Sequence, residues 1–348
     1  MLLLYNKLVN IRENVELKNY STMRLGGQSR YLAEAGSLED VEQLGKWARE
    51  HNLPVITVGG GSNIVWKDEG FAGLVVVNKI MGRELASDGL TIKLGAGENW
   101  DNAVGWTVDQ GLSGIEALSL IPGTAGATPV QNVEAYGQQI ADTLQKIQVY
   151  DLEDGKFKEL KPGECDLSYR NSRFKSADHG RFIICYIWLK LNRGQVRPPF
   201  HRGLQSYIDE HRITDFSPAS IRQAVIAIRS AKLPDPTKMA NNGSFFKNPF
   251  VSVENFRQLQ GRFPKILNYP ADNGTVKLSA QWLIEHAGFQ PGFHDSATGM
   301  GLWPKHALVF VNEHAHSTVD LLAFKQKIVD KVEQMFGVTL EQEPELLP

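Results

Sequence analysis

Four short stretches of the chain carry residue types that could do chemistry. Gly59-Gly60-Gly61-Ser62-Asn63 follows the β-branched run Val55-Ile56-Thr57-Val58. Consecutive glycines let backbone N–H groups turn toward an anion, most naturally a pyrophosphate. The loop is neither a Walker A sequence nor GxGxxG, and a tight turn after a strand is the plainer alternative. The second stretch runs from Leu120 to Asn132 and includes Ile121, Pro122, Gly123, Gly126, Ala127 and Thr128. It is nearly free of charge, and small residues with backbone donors suit a flat aromatic cofactor and its phosphates; a buried crossover loop is the alternative. The third, Leu167 to Phe174, offers Arg170 and Arg173 beside Tyr169. Guanidinium groups there could hold a carboxylate through paired hydrogen bonds, or could be ordinary surface charges. The fourth, Asn241 to Pro249, sets Ser244 behind Gly243 and ahead of Phe245 and Phe246, where its hydroxyl could meet a substrate in a shielded pocket. No GxSxG elbow is present, so a serine-hydrolase triad is not indicated, and a turn after a helix is the bland reading.

Elements must position these loops. Ser37 and Asp40 form a capping-box pattern, and Leu38, Val41, Leu44 and Ala48 recur at helical spacing, so a helix is expected from Ser37 to Glu50. A strand at Val55–Val58, the glycine loop and a second apolar run at Leu74–Val77 complete an α/β nucleotide-site arrangement. The middle third reads as strands and loops, with strands expected over 90–94, 147–151 and 182–191. Ser217-Pro218-Ala219 starts a helix that Pro234 and Pro236 end. A helix around 278–287, a strand over 307–311 and a final helix over 317–336 follow. Leu321, Phe324, Ile328, Val332 and Met335 mark that last helix's apolar face, and Gly337 its stop.

Composition narrows the classes. A length of 348 residues favours two or three domains, and 42% hydrophobic with 22% charged residues describes an ordinary globular chain. A formal net charge of -2 gives no case for nucleic acid or an anionic membrane. The apolar start, Met1 to Leu4, is too short for a signal peptide or a membrane span. Cys165 and Cys185 are the only cysteines, which excludes a disulfide scaffold and a cysteine zinc site and fits a cytoplasmic location. The histidines show no metal-ligand spacing, and His314 and His316 read as surface residues.

Taken in order, Gly-Ser-Asn at 61–63, Ile-Pro-Gly at 121–123, Ala-Tyr-Gly at 135–137, Tyr-Arg at 169–170, Lys-Leu-Pro-Asp-Pro at 232–236 and Gly-Ser-Phe-Phe-Lys-Asn-Pro at 243–249 resemble the UDP-N-acetylenolpyruvoylglucosamine reductase (UDP-N-acetylmuramate dehydrogenase) family. The resemblance spans essentially the whole chain, from Tyr20-Ser21-Thr22-Met23-Arg24-Leu25-Gly26-Gly27 to the glutamate-rich tail. It implies an α+β chain: a two-subdomain FAD-binding fold of the vanillyl-alcohol-oxidase type (residues 1–80 and 81–232) plus a C-terminal α/β substrate-binding domain (233–348). It also implies non-covalent FAD, NADPH as hydride donor, and reduction of UDP-N-acetylglucosamine enolpyruvate to UDP-N-acetylmuramate for the cell wall. No nucleic acid, membrane or obligate protein partner is expected.

The site carries over residue by residue. Gly59 to Asn63 would hold the FAD pyrophosphate, Ile121 to Thr128 would pack around the flavin, and Arg229 matches a cofactor contact. Tyr136, Tyr169, Lys232 and Asn248 look like substrate contacts, with Lys232 placed for a phosphate. Arg170, Ser244 and a tail glutamate match catalytic positions. An ungapped match gives Glu343 that role, with Glu341 and Glu345 two residues to either side. Hydride delivery to the vinyl group would leave an enolate-like charge for Arg170 to stabilise, and Ser244 would protonate the neighbouring carbon. Three positions depart from the family's pattern: Glu134 stands where glycine is usual, His201 where the longer-loop form has a tyrosine over the substrate, and His306 where glutamine is common. The alternatives are an alcohol or sugar oxidase on the same scaffold, and a nucleotide-binding protein without activity; retention of Arg170, Ser244 and a tail glutamate argues against the second.

Overall fold

The computed structural model describes residues 9–271 and 274–348; the apolar start at Met1–Leu4 lies outside them. The chain divides into two compact units. The first contains the residues through Val15, Ser29–Gly60 and Phe71–Ala231; the second contains Glu16–Gln28, Gly61–Gly70 and Lys232–Pro348. Residues 16–28 and 61–70, which fall inside the expected first subdomain, thus pack with the C-terminal segment, and the chain passes from one unit to the other inside the glycine loop.

In the first unit, a four-stranded sheet has the order Ile11–Glu16, Gln28–Ala35, Phe71–Asn78, Val55–Val58, and the last three run parallel. The helix Leu38–Glu50 covers it, burying Val41, Leu44 and Ala48. Ser37 caps this helix by accepting from the Asp40 N–H, but the Asp40 carboxylate reaches back to the Gly36 N–H rather than to that of Ser37. Five strands form a second, antiparallel sheet in the order Lys156–Leu160, Leu144–Asp151, Phe182–Lys190, Thr91–Gly95, Arg83–Leu85. Against it packs the helix Trp100–Asp109 through Trp100, Ala103 and Val104. This helix and another, Arg202–Glu210, occupy stretches that read as strands and loops in sequence. The 202–210 helix buries Leu204 and Ile208 against Ile221, Ala224 and Val225 of the helix Pro218–Lys232.

In the second unit, an antiparallel sheet runs Ala240–Ser244, His306–Asn312, Met300–Trp303, His294–Asp295. The helices Ala280–His286 and Thr318–Phe336 share its core with Phe245, Phe246 and Phe310. Leu321, Phe324, Ile328 and Val332 of the final helix are buried as expected, but Met335 is 36% exposed and Phe336 takes the inward place. A step of four residues from Val332 keeps the inward face, whereas a step of three carries Met335 to its margin. Gly337 ends the helix at φ +65, the left-handed cap conformation. The tail strand Glu345–Leu347 pairs in parallel with Ile64–Trp66.

Among the described residues, no helix is long and apolar enough to cross a membrane. The packing of the first unit also leaves no room at Gly126, where an added Cβ would lie 2.4 Å from the Ala96 Cβ and 3.0 Å from its Cα. Gly126→Ala is therefore expected to lower the unfolding free energy by about 1–3 kcal/mol, as for other overpacked positions. Urea unfolding curves check this, and an unchanged midpoint would show that the contact relaxes without cost.

Candidate functional site

The glycine loop is shaped by close backbone approach. An added Cβ would meet the Thr124 hydroxyl oxygen at 2.1 Å from Gly59 and the Gly123 Cα at 3.0 Å from Gly60. In the second unit, Gly61 has φ +66 and its missing Cβ would fall 2.2 Å from the Tyr20 carbonyl oxygen. Sterics thus require glycine at Gly61, and close approach crowds any side chain at Gly59 and Gly60. Among the described residues, no protein acceptor takes the N–H groups of Gly59, Gly60 or Gly123. Two apposed glycine loops presenting such donors fit the pyrophosphate of a dinucleotide cofactor.

The rest of the neutral loop behaves differently from its sequence expectation. A 3-10 turn over Ala125–Ala127 engages the N–H of Gly126 with the Ala96 carbonyl, and those of Ala127 and Thr128 with Thr124 and Ala125. The Thr128 hydroxyl also donates to the Ala125 carbonyl. The backbone donors of Gly126, Ala127 and Thr128 are therefore already taken within the protein. Ile121 is half-buried and Pro122 exposed. Leu120, at the loop's start, adopts φ +58, held by its N–H on the Asp101 carboxylate at 2.6 Å. Asp101 in turn binds Arg222 at 2.6 Å. Burial pushes the Asp101 pKa up, but Arg222 and the Leu120 N–H outweigh that and hold it low.

At its far end the loop becomes a hairpin, Glu134–Ala135 against Gln138–Gln139, that sequence periodicity does not reveal. Its two central residues, Tyr136 and Gly137, have φ +49 and +84, as a type I′ turn requires. A tyrosine there is strained, and such strain concentrates at functional positions. His201 caps the helix Arg202–Glu210 by accepting from Gly203, and its ring meets Tyr136 edge to face at 5.7 Å. Burial raises the Tyr136 pKa against the opposing field of Arg229. Burial lowers that of Arg229, whose Nε lies 3.4 Å from the Leu120 carbonyl. Tyr136, His201 and Arg229 therefore come together in the first unit.

Arg170 lies in the same unit, in a tight turn closed by reciprocal Ser168–Asn171 backbone hydrogen bonds of 3.1 Å, with φ +54. Asn132 ties the loop to this turn by donating to the Ser168 carbonyl at 3.3 Å, and Ser172 donates to the Val130 carbonyl at 2.5 Å. The Arg170 guanidinium stacks over Tyr169 at 5.3 Å and lies 3.6 Å from a Glu134 carboxylate oxygen. Arg173 points elsewhere: it binds Asp178 at 2.6 Å and the Glu164 carbonyl, a structural role.

In the second unit, Ser244 belongs to an edge strand rather than to the turn that is one sequence reading. Gly243, at φ +71, sits where the register of strands Ala240–Ser244 and His306–Asn312 shifts. A bulge of this kind re-aims the next side chain. Nothing lies within 4 Å of the Gly243 Cβ position. Below, Phe245 stacks on Phe310 at 4.2 Å, and Phe246 meets the same ring edge-on. The tail runs antiparallel to this strand: the Glu343 N–H donates to the Phe245 carbonyl at 2.9 Å and the Lys247 N–H to the Glu341 carbonyl at 2.9 Å. The Glu341 carboxylate is ion-paired with Lys247, and the Glu345 N–H binds the Asn63 carbonyl at 2.9 Å.

Asn242 is a site residue that sequence reasoning gave no role. It is buried, and its side-chain nitrogen approaches the Thr22 hydroxyl at 3.1 Å and the Ser62 and Ile64 carbonyls at 3.3 and 3.2 Å. It thereby joins the end of the glycine loop to the strand bearing Ser244. The only signal in the chain is a polar Asn-Asn pair ahead of Gly243. The Asn248 side-chain Oδ1 accepts from the Ala280 N–H at 2.9 Å, which leaves the side-chain Nδ2 as the donor a ligand could meet. His306 is half-buried beside Lys232. Burial first, then the Lys232 charge, lowers its pKa to about 4. Its Nδ1 accepts from the Leu308 N–H at 3.3 Å, which leaves Nε2–H as a donor in the neutral ring.

A profile described as "FAD binding domain" matches residues 29–161, and one described as "UDP-N-acetylenolpyruvoylglucosamine reductase, C-terminal domain" matches residues 235–347. The UDP-N-acetylenolpyruvoylglucosamine reductase of Pseudomonas aeruginosa is 36% identical over 341 residues, covering 97% of this chain and 99% of that one. The reductase of the same name from Alcanivorax borkumensis is 38% identical, covering 97% and 96%. The crystal structure of the Thermus caldophilus enzyme superposes with a TM-score of 0.68 at 23% identity, covering 98% of this chain and 100% of that one, which establishes the fold. Fold and cofactor domain together define a flavin-dependent oxidoreductase of the vanillyl-alcohol-oxidase architecture. More narrowly, the chain belongs to the UDP-N-acetylenolpyruvoylglucosamine reductase family.

The His306 environment makes a testable statement about pH. Its folded pKa lies below the unfolded value near 6.5, so the unfolded chain binds the extra proton first. Its contribution to stability is complete above pH 6.5 and is lost as pH falls toward 4. His306→Gln is expected to flatten the unfolding free energy across that window, read by urea titrations at several pH values. An unaltered slope would mean that His306 is protonated equally in both states.

Proposed function

We propose that this chain reduces the enolpyruvyl group of UDP-N-acetylglucosamine enolpyruvate to UDP-N-acetylmuramate, with non-covalent FAD and with NADPH as electron donor. The observation that carries the reading, beside family membership, is the second unit's tail register, which sets Glu343 opposite Phe245, the residue after Ser244, next to a buried phenylalanine cluster. The N–H groups of Gly59, Gly60 and Gly123 are the donors suited to the FAD pyrophosphate. FAD, when bound, supplies two-electron transfer from NADPH to the terminal vinyl carbon.

Addition at that carbon places negative charge on its neighbour and into the attached carboxylate. Arg170, half-buried in its pinned turn, is the cation suited to that charge, since a preorganised guanidinium needs no rearrangement as charge develops. Ser244 delivers a proton to the carbanionic carbon; a hydroxyl is acidic enough against so basic a centre when shielded from water. Glu343, whose backbone pairs with the residue after that serine, is the carboxyl group assigned to return its proton. Lys232 serves a phosphate of the UDP group, and His306 and the Asn248 amide add neutral donors. Tyr136 and His201, in edge-to-face contact, form an aromatic wall for the sugar nucleotide.

The test is an anaerobic titration of the purified yellow protein. NADPH is expected to bleach the flavin absorbance, and the enolpyruvyl sugar nucleotide to restore it stoichiometrically. A flavin that NADPH leaves oxidised, or that the enolpyruvyl compound fails to reoxidise, would overturn the reading in favour of an oxidase on the same scaffold.

A further inference from the structure

We propose that Glu134 is a positioning residue that competes with the substrate carboxylate for Arg170 and so sets the enzyme's affinity for the enolpyruvyl ligand. The inference rests on the reading of Arg170 as the carboxylate-binding cation. Two atoms of Glu134 face that guanidinium, and they do different things. The backbone carbonyl accepts from Nη2 at 3.4 Å, a geometric anchor that any residue at this position would provide. The side-chain Oε2 lies 3.6 Å from Nη1, a distance that gives coulombic attraction without a well-formed hydrogen bond. The carboxylate therefore adds charge rather than shape.

Tyr169 under the guanidinium, the reciprocal bonds of the 168–171 turn and the Asn132 tether already fix the arginine. Glu134 is held equally firmly, since its strand is paired through Glu134–Gln139 in the hairpin next to Tyr136. A loosely paired acid on a rigid hairpin is a resident anion that an incoming carboxylate must share or displace. The Glu134 side chain is 35% exposed and that of Arg170 is 19% exposed, so solvent and salt screen the pair in part.

Removing the charge while keeping the shape should then tighten the productive ligand. In Glu134→Gln holoenzyme, the dissociation constant of UDP-N-acetylglucosamine enolpyruvate, read from its perturbation of the oxidised flavin spectrum, is expected to fall about two- to fivefold, the range for a partly exposed ion pair. UDP-N-acetylglucosamine, which lacks the carboxylate, should bind the variant and the parent equally. The difference for the enolpyruvyl ligand should shrink at high salt. Unchanged or weaker binding of that ligand, or an equal change for both, would overturn the proposal, the last by showing a merely structural effect. Arg170→Lys separates the two claims. If it weakens the enolpyruvyl ligand while Glu134→Gln changes nothing, only the role of Glu134 falls. If Arg170→Lys leaves both ligands unaffected, the carboxylate reading of Arg170 falls and this proposal with it.

Discussion

Two backbone hydrogen bonds, from Glu343 to Phe245 and from Lys247 to Glu341, set the register on which the role proposed for Glu343 depends. Slipping the tail by a single residue would turn its carboxylates to the opposite face, because side chains alternate along an extended segment. Further contacts guard against such a slip. Lys325 reaches the Gln342 side chain at 3.2 Å, Gln342 donates to the Pro344 carbonyl at 2.8 Å, and the tail continues into the strand beside Ile64–Trp66. The same register divides the glutamates. Glu341 is committed to Lys247 and Glu345 enters the terminal strand, while Glu343 is set opposite Phe245, the residue after Ser244.

The first unit relies on steric constraint in place of register. Gly59 and Gly60 press on Thr124 and Gly123, so the two loops that offer backbone donors hold each other. Around them Leu120, Asn132, Tyr136 and Arg170 all adopt positive φ. Each such conformation costs about 1–3 kcal/mol, and each is held by a specific bond or packing contact: Asp101 on the Leu120 N–H, Asn132 on Ser168 and Gln139, the hairpin around Tyr136, and the reciprocal Ser168–Asn171 bonds around Arg170. Two of these four residues, Tyr136 and Arg170, are ones proposed to meet substrate, which accords with strain being kept where placement matters.

Much of this was legible in the residues, for identifiable reasons. The helix from Leu38 and the last helix announce themselves because cap residues and apolar spacing agree, and Val55–Val58 because β-branched residues end at glycine. The α+β architecture and the cofactor domain followed from ordered motifs, as the family match bears out. The helices Trp100–Asp109 and Arg202–Glu210 were not legible. The first carries Gly105, Thr107 and two tryptophans, which weaken its intrinsic helical signal, and the second is short and follows two prolines. Its stability comes from packing on the helix Pro218–Lys232, which no local pattern can show. The bulge at Gly243, the Tyr136-Gly137 turn and the Asn242 tether are likewise long-range or conformational facts. Met335 was misplaced because periodicity cannot resolve the margin of an apolar face.

The tail's assignment is tested most directly by the rate at which prereduced enzyme is reoxidised by the enolpyruvyl sugar nucleotide in stopped flow. Glu341→Gln, Glu343→Gln and Glu345→Gln would be compared under one set of anaerobic conditions. The tail register predicts a loss of about two orders of magnitude or more for Glu343→Gln, the scale of a lost acid–base group. Flavin reduction by NADPH should stay intact, and the other two variants should remain near the parent rate. A parental rate in Glu343→Gln, or a larger loss at Glu341 or Glu345, would contradict the account and move the working carboxylate elsewhere.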